Sequence, residues 1–157
     1  MGQEIGQSSR HQPAVVSDGS LFHMAFSAND NTNRILYATS PDGLSWTLGA
    51  DTGQTSGAAP ALTVSQPINP RFNWHLLVLV FVANDPSNRI LFSVLDLTEN
   101  PVTRGWRYVG QVGEESAQAV SALGGSFFDV KCYFTANDSS NRPLLHSFIP
   151  YPGLPQG

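Results

Sequence analysis

Apolar residues occur along this chain in short runs that are separated by turn-forming residues. The first clear run, Leu21–Ala28, follows the sequence Ser-Asp-Gly-Ser at 17–20, which is a strong hairpin signal. No segment of the chain keeps apolar residues at helical spacing over a full window. The pattern therefore predicts an all-β fold of short antiparallel strands.

The strand pattern recurs three times along the chain. Each copy contains Phe-x-Ala-Asn-Asp-x-x-Asn-Arg-x-Leu, and the copies begin at Phe26, Phe81 and Phe134. A second element, Gly-Gln-x-Ser, precedes the copies at 6–9 and 53–56, with a diverged form, Gly-Glu-Glu-Ser, at 113–116. We interpret residues 1–157 as a single domain of three repeats, which cover approximately 6–52, 53–109 and 110–157.

Each repeat is predicted to contain up to four strands, A to D. In the first repeat they are Pro13–Val16, Leu21–Ala28, Arg34–Thr39 and Leu44–Leu48. The copies of strand B are Trp74–Ala83 and Phe127–Ala136, the copies of strand C are Arg89–Val94 and Arg142–Phe148, and the copy of strand D is Gly105–Val109. Three equivalent residues of strand C are expected to lie in the core, namely Tyr37, Phe92 and Leu145.

Four antiparallel strands at a period of fifty-odd residues are typical of a β-propeller blade, and a β-trefoil is the alternative for three repeats. The repeat register begins just after a D strand, because residues 2–6 match residues 49–53, and it ends just before one. This register predicts a ring completed by another chain, as in a homodimer with six blades, or a piece of a longer repeat array.

Composition and charge exclude several classes of partner. Charged residues make up 13% of the chain, the net charge is −4, and Lys131 is the single lysine, so nucleic acid is not an expected partner. No apolar run reaches the ~18 residues of a membrane span, which argues against membrane insertion. The start of the chain does not follow the signal-peptide pattern, so the location stays open between the cytoplasm and secretion, either by a non-classical route or with a signal already removed.

Metal and cofactor chemistry has no support in the sequence. Cys132 is the single cysteine, so neither an internal disulfide nor a cysteine-based metal site is expected. The four histidines are not equivalent between repeats and lack the spacing of metal ligands. We expect neither a bound metal nor a cofactor.

Polar residues cluster at the turn between strands B and C of every repeat. This turn and the D–A connection emerge on the same face of a four-stranded blade, so they should share one rim. Carboxylates and amides accept hydrogen bonds and a guanidinium donates them, which suits vicinal sugar hydroxyls. The alternative is structural, with each Asp pairing with its Arg across the turn. The candidate ligand-binding residues are Asn29, Asp30, Asn33, Arg34, Asn84, Asp85, Asn88, Arg89, Asn137, Asp138, Asn141 and Arg142.

The segment Ser-Pro-Asp-Gly-Leu-Ser-Trp at 40–46 resembles the Asp-box of sialidase-like β-propellers, with one residue fewer between Asp and Gly. The resemblance implies that Asp42 bonds turn amides and that Trp46 packs within the blade. The whole unit, from 6 to about 148, is similar to the tandem propeller repeats of microbial sugar-binding proteins, including propeller lectins. It implies a multivalent, non-enzymatic lectin with one site per blade and glycans as partners.

The sequence argues against an enzyme, and no catalytic residue is assigned. A sialidase-like site converges three arginines on one carboxylate, whereas Arg34, Arg89 and Arg142 hold one position in successive blades and are spread around the ring. The Gly-x-Ser-x-Gly nucleophile motif does not occur. Two alternatives to a lectin remain open: a structural or protein-interaction propeller, and a fragment of a sialidase-like glycoside hydrolase.

Overall fold

Three antiparallel sheets, one for each repeat, form the computed structural model, which describes residues 6–65, 75–100, 104–116, 118–124 and 129–150. We call them blades 1, 2 and 3. Blade 1 contains β1 (Ala14–Ser17), β2 (Phe22–Ser27), β3 (Ile35–Ser40) and β4 (Thr47–Leu48). Blade 2 contains β5 (Ala61–Ser65), β6 (Leu76–Val82), β7 (Arg89–Asp96) and β8 (Arg107–Glu115). Blade 3 contains β9 (Ser121–Gly124), β10 (Val130–Thr135) and β11 (Pro143–Phe148).

Strands that are consecutive in sequence are neighbours in each sheet, and all pairs are antiparallel. Each repeat thus forms a sheet of its own, as a propeller blade does and as the repeats of a trefoil do not. The described part of blade 3 has three strands, which correspond to strands A, B and C. The prediction that repeat 3 stops after strand C falls on residues 151–157, which lie outside the described residues. In the described segments, no helix has the length and apolar character to cross a membrane.

The predicted D strands differ most from the observed ones. Strand D of repeat 1 was expected at Leu44–Leu48, but β4 covers Thr47–Leu48 because the preceding residues form a turn. Strand D of repeat 2 was expected at Gly105–Val109, but β8 starts at Arg107 and continues to Glu115. The predicted strand starts Trp74 and Phe127 lie outside the described residues.

The core lies in two seams between consecutive blades. Side chains alternate between the two faces of a strand. Blade 2, which lies between the other two blades, therefore has an apolar face on each side. In the first seam, blade 1 packs Ala25, Ile35 and Tyr37 against Leu77, Leu79 and Phe81 of blade 2. In the second seam, blade 2 packs Val78, Val80 and Phe92 against Val130, Cys132 and Phe134 of blade 3.

The prediction that strand C contributes an equivalent core residue from each repeat is confirmed for Tyr37 and Phe92 and is wrong for Leu145. Tyr37 and Phe92 are buried in the first and second seams, respectively. Leu145 is 54% exposed. It has the same place in its blade, but no described residue supplies a following blade to cover it.

The first strands of the three blades surround a cavity of ≈ 330 Å³, lined by residues 12–15, 59–62 and 119–122. These ranges are equivalent in the three repeats, so the cavity lies on the axis that relates the blades. Strands β5 and β9 meet closely beside it. The Gly124 backbone N–H donates to Thr63 Oγ1 at 2.7 Å, and a Cβ at position 124 would lie 1.9 Å from the Val64 carbonyl oxygen.

The turn between β3 and β4 is organised by the Asp42 carboxylate. Its Oδ1 accepts the backbone N–H groups of Leu44 at 2.8 Å and Ser45 at 2.7 Å. These bonds, with that from the Ser40 hydroxyl, lower the pKa of Asp42 to about 2. The indole N–H of Trp46 donates to the Gly43 carbonyl at 3.2 Å, and the ring packs on a third apolar cluster, which contains Phe26, Ala28, Leu36 and Ala38 of blade 1.

A polar chain lies buried at the first seam, where blade 1 has polar residues at positions that are apolar in blade 2. His23 is fully buried, and its Nδ1 lies 2.7 Å from the Tyr37 hydroxyl. Its Nε2 lies 3.0 Å from Asp18 Oδ2, within ion-pair distance but without good hydrogen-bond geometry. The Tyr37 ring contacts the edge of Trp106 from blade 2, and burial raises the pKa of Tyr37 to about 12. Blade 2 has Val78 and Phe92 at the positions of His23 and Tyr37.

Candidate functional site

The three turns between strands B and C are built alike. In each one the Asp carboxylate accepts the backbone N–H of the residue two positions later, at 2.9, 2.8 and 2.8 Å for Asp30, Asp85 and Asp138. This is the Asx turn that a short carboxylate side chain favours. The second Asn of each turn has a positive φ of 55°, 52° or 49°, at Asn33, Asn88 and Asn141. Asn tolerates this left-handed conformation, which explains why it stands there in all three repeats.

Each turn also holds its arginine by two contacts. The Arg Nε donates to a hydroxyl oxygen at 3.1, 2.8 and 2.9 Å, and one terminal nitrogen donates to the Asp Oδ2 at 3.2, 3.3 and 3.5 Å. The hydroxyl belongs to Thr32, Ser87 and Ser140. Sequence reasoning missed these three residues, although every copy has a hydroxyl side chain at this position.

The carboxylates of the turns are ionised at neutral pH. The pKa values of Asp30, Asp85 and Asp138 are lowered, first by the hydroxyl of the residue two positions later, then by its backbone N–H, and to a smaller extent by the arginine. All six charged side chains keep a large part of their surface in solvent. Each of the three turns therefore presents an exposed carboxylate acceptor next to an exposed guanidinium donor.

The turns and the D–A connections lie on one rim, as predicted. The Asn29 N–H donates to Ser8 O at 3.0 Å, and the Ser56 N–H donates to Asn33 O at 3.0 Å. The Ser116 N–H donates to Asn88 O at 2.8 Å. The Asp42 turn connects β3 to β4, at the opposite ends of the strands.

The serine of the Gly-Gln-x-Ser element has a structural role. The hydroxyls of Ser9, Ser56 and Ser116 contact backbone carbonyls of the following strand B, those of Ser27, Val82 and Thr135, at 3.2, 2.9 and 3.0 Å. Ser56 and Ser116 are fully buried. The connection that leaves one blade is therefore fastened to the next blade, which keeps consecutive turns in fixed relative positions.

Amide side chains link the turns of blades 1 and 2. Asn33 Nδ2 donates to Asn84 Oδ1 at 3.1 Å, and Arg10 donates to Asn33 Oδ1 at 2.8 Å. At the second seam, Asn137 Nδ2 donates to Glu115 at 3.4 Å instead. The structure thus brings each Asp to its own Arg and joins neighbouring turns, but the three Asp–Arg pairs do not converge on one point.

The three arginines are not equally engaged. Arg34 also donates to Asp51 at 3.2 Å through its second terminal nitrogen, and its pKa is raised by Asp30 and then by Asp51. Gln111 stands where Asp51 would lie in repeat 2. Within the described residues, Arg89 and Arg142 make no second carboxylate contact, so one terminal nitrogen of each has no carboxylate partner there.

Other reactive groups give no further site in the described residues. Burial raises the pKa of the Cys132 thiol to about 12, which makes it a poor nucleophile. The described residues contain no group of three or more His, Cys, Asp or Glu side chains arranged to hold a metal ion.

Comparison with solved structures identifies the fold. The fold class is that of repeat proteins built from antiparallel blades. A fucose lectin from Kordia zhangzhouensis, solved with methyl-fucoside, has a similar structure. The TM-score is 0.62 at 13% identity, over 88% of this chain and 92% of the lectin chain. A xylan β-1,4-xylosidase from Bacillus halodurans C-125 gives 0.44 at 12% identity, over 98% of this chain and 34% of its own. The arabinanase Arb43A of Bacillus subtilis gives 0.41 at 13% identity, over 90% of this chain and 56% of its own. No protein-family model and no curated protein sequence matches the chain.

Proposed function

We propose that this protein is a non-enzymatic lectin that binds glycans at the B–C turn of each blade. The observation that carries the proposal is the threefold presence of an exposed Asp–Arg pair with Asn side chains on one rim. Carboxylates accept two hydroxyl donors, a guanidinium donates in a fixed fork, and an amide does both, so the set matches adjacent hydroxyls of a pyranose.

Two further facts support a ligand role. An exposed ion pair contributes only about 0–1 kcal/mol to stability, which is a weak reason to keep one in every repeat. Arg89 and Arg142 also keep a terminal nitrogen that no described residue uses. Because the lectin with the similar fold was solved with methyl-fucoside, fucose is the first sugar to test.

The second candidate is a structural or protein-interaction propeller without a sugar site. It is favoured by the contacts of Arg with the Thr or Ser hydroxyl and with Asp, which account for the arginines as parts of the turn. Under this candidate the pairs hold the turn conformation and the rim binds no sugar.

We also propose that two copies of the chain associate into a six-bladed ring. The ring would present the B–C turns of both copies on one face. Linked sites bind a multivalent glycan with an avidity well above the affinity of one site.

The experiment is a glycan array followed by titration calorimetry with the best sugar. Arg89→Ala should lower the number of sites per chain while each remaining site keeps its intrinsic affinity. The triple change of Arg34, Arg89 and Arg142 to Ala should abolish binding. Arg107→Ala is the matched control, because Arg107 is an exposed arginine paired with Glu99 away from this rim.

Loss of binding is informative only if the variants are folded, so circular dichroism and thermal melting are measured for each variant that is titrated. Unchanged stoichiometry and affinity in the triple variant would leave the arginines as turn structure only. Loss of binding in Arg107→Ala to the same extent would show a general effect of charge.

A further inference from the structure

The outer face of blade 3 carries a patch of exposed apolar side chains. We call it the forward face. Its apolar members are Leu123, Tyr133 and Leu145, which are 57%, 44% and 54% exposed. Tyr133 is directly opposite Leu145 across the β10–β11 pair. Leu123 is opposite Lys131 on the other side of β10, and Lys131 and Tyr133 point to the same face because side chains alternate. The residues therefore form one continuous surface.

The equivalent positions are buried in blades 1 and 2. The counterparts of Tyr133 are Ala25 and Val80, and those of Leu145 are Tyr37 and Phe92. All four are at most 6% exposed, and each packs against the blade that follows its own. The forward face of blade 3 is thus the third copy of a surface that is covered by the next blade in both blade 1 and blade 2.

The complementary surface is also present in the chain. Blades 2 and 3 receive the preceding blade on faces that contain Phe81 and Phe134, and the equivalent residue of blade 1 is Phe26. We call this side of blade 1 its back face. Phe26 and Leu36 are buried there, while Met24 and Trp46 are half-buried and leave apolar surface accessible.

We propose that the forward face of blade 3 binds the back face of blade 1 in a second copy of this chain. The inference deepens the proposed function, because it specifies the surface by which the lectin forms its ring. Such a contact continues the two seams already present within the chain. Each contact joins two different surfaces, the forward face of one copy and the back face of the other, and a twofold axis relates the two contacts so that the ring closes.

The first test is the solution mass, measured by light scattering at micromolar concentration. The expected mass is twice the 16.9 kDa of the chain. Leu145→Glu places a carboxylate in the contact and should raise the dimer dissociation constant at least about tenfold, since a buried unpaired charge is costly. Gln111→Glu is the control, because Gln111 is exposed on β8 of blade 2, outside both faces, and should leave the dimer intact.

The second test is the direction of the contact. A photo-crosslinking amino acid at position 145 should label a peptide of blade 1 that contains Met24 or Trp46. Labelling of blade 3 of the partner would show that the two forward faces pair with each other and would overturn the proposal. A monomeric wild type, or a dimer unaffected by Leu145→Glu, would also overturn it.

Glycan binding distinguishes failure of this surface from failure of the lectin function. The Leu145→Glu monomer should still bind a monovalent sugar with the wild-type stoichiometry per chain. It should lose avidity for a multivalent glycan. A dimeric wild type that binds no sugar would support the surface and refute the lectin function.

Discussion

The buried His23–Tyr37 pair predicts strong energetic coupling between two positions of the first seam. Tyr37→Phe removes the hydroxyl next to His23 Nδ1, and His23→Val removes the imidazole next to the hydroxyl. Each single change leaves one polar group buried without its partner. The double change creates the Val and Phe combination that blade 2 has at Val78 and Phe92.

The magnitude follows from the burial of both groups. His23 is fully buried and Tyr37 is 6% exposed, so water cannot replace the missing partner. An orphaned buried group costs about 1–3 kcal/mol, whereas replacing both partners by apolar groups is close to neutral. We therefore expect the double variant to lose about 1–3 kcal/mol less stability than the sum of the singles. The turn at Asp18 should be unchanged in every variant, because Asp18 Oδ1 accepts the backbone N–H groups of Ser20 and Leu21 and these bonds do not involve His23 or Tyr37.

Urea denaturation of the wild type, the two single variants and the double variant, at one protein concentration, measures the coupling. Thr47→Val is the control, since it removes a hydroxyl from an exposed side chain of β4 and should change stability by less than about 0.5 kcal/mol. Single effects that add to within about 0.5 kcal/mol would refute the reasoning, because independent sites behave in that way.

Two further predictions concern the turns and the axis of the blades. Asp42→Ala should lower the melting temperature at neutral pH. Because the pKa of Asp42 is about 2, below the ordinary 3.8 of an Asp carboxyl, the carboxylate's contribution to stability is present above about pH 4 and disappears as the pH falls towards 2. The variant should therefore melt more nearly like the wild type at pH 2 while it binds sugar normally at neutral pH, and an unchanged melting temperature at pH 7 would contradict this role. Gly124→Ala forces a Cβ against the Val64 carbonyl and should cost about 3 kcal/mol in denaturant unfolding, at the upper end for overpacking. Gly105→Ala, which meets no atom within 4 Å, is its control, and equal stabilities of the two variants would show that β5 and β9 can separate without cost.

The sequence alone predicts most of the fold because the same pattern of strands and turns occurs in three copies. The apolar runs of strand B and the Asn-Asp turns fix the strand order, and the observed strands agree closely for strands B and C. Strand D is less predictable. Ser40 and Asp42 bind so many turn amides that the strand can start only at Thr47.

The sequence predicts which charged and amide residues form the candidate site, but it predicts only some of the contacts between them. The Asp–Arg pairing follows from the spacing, and the structure has it in each blade. The hydroxyls of Thr32, Ser87 and Ser140 were missed because Ser and Thr are common in turns and carry no charge to suggest a partner. The exposure of Leu145 could not be inferred either, since burial depends on a neighbouring blade and not on the strand itself.

The buried serines at the blade connections have a consequence for how such a chain can grow. Ser56 and Ser116 fasten the connection that enters their repeat to strand B of the same repeat, and Ser9 makes the same contact in the first repeat. Every repeat thus carries, within its own residues, the contact that holds its incoming connection. Duplication of one such unit in a gene would add a blade whose junction already fits, as in other proteins where each repeat contacts only its neighbours. The serine contact that holds each connection would therefore be kept when a repeat is gained or lost during evolution.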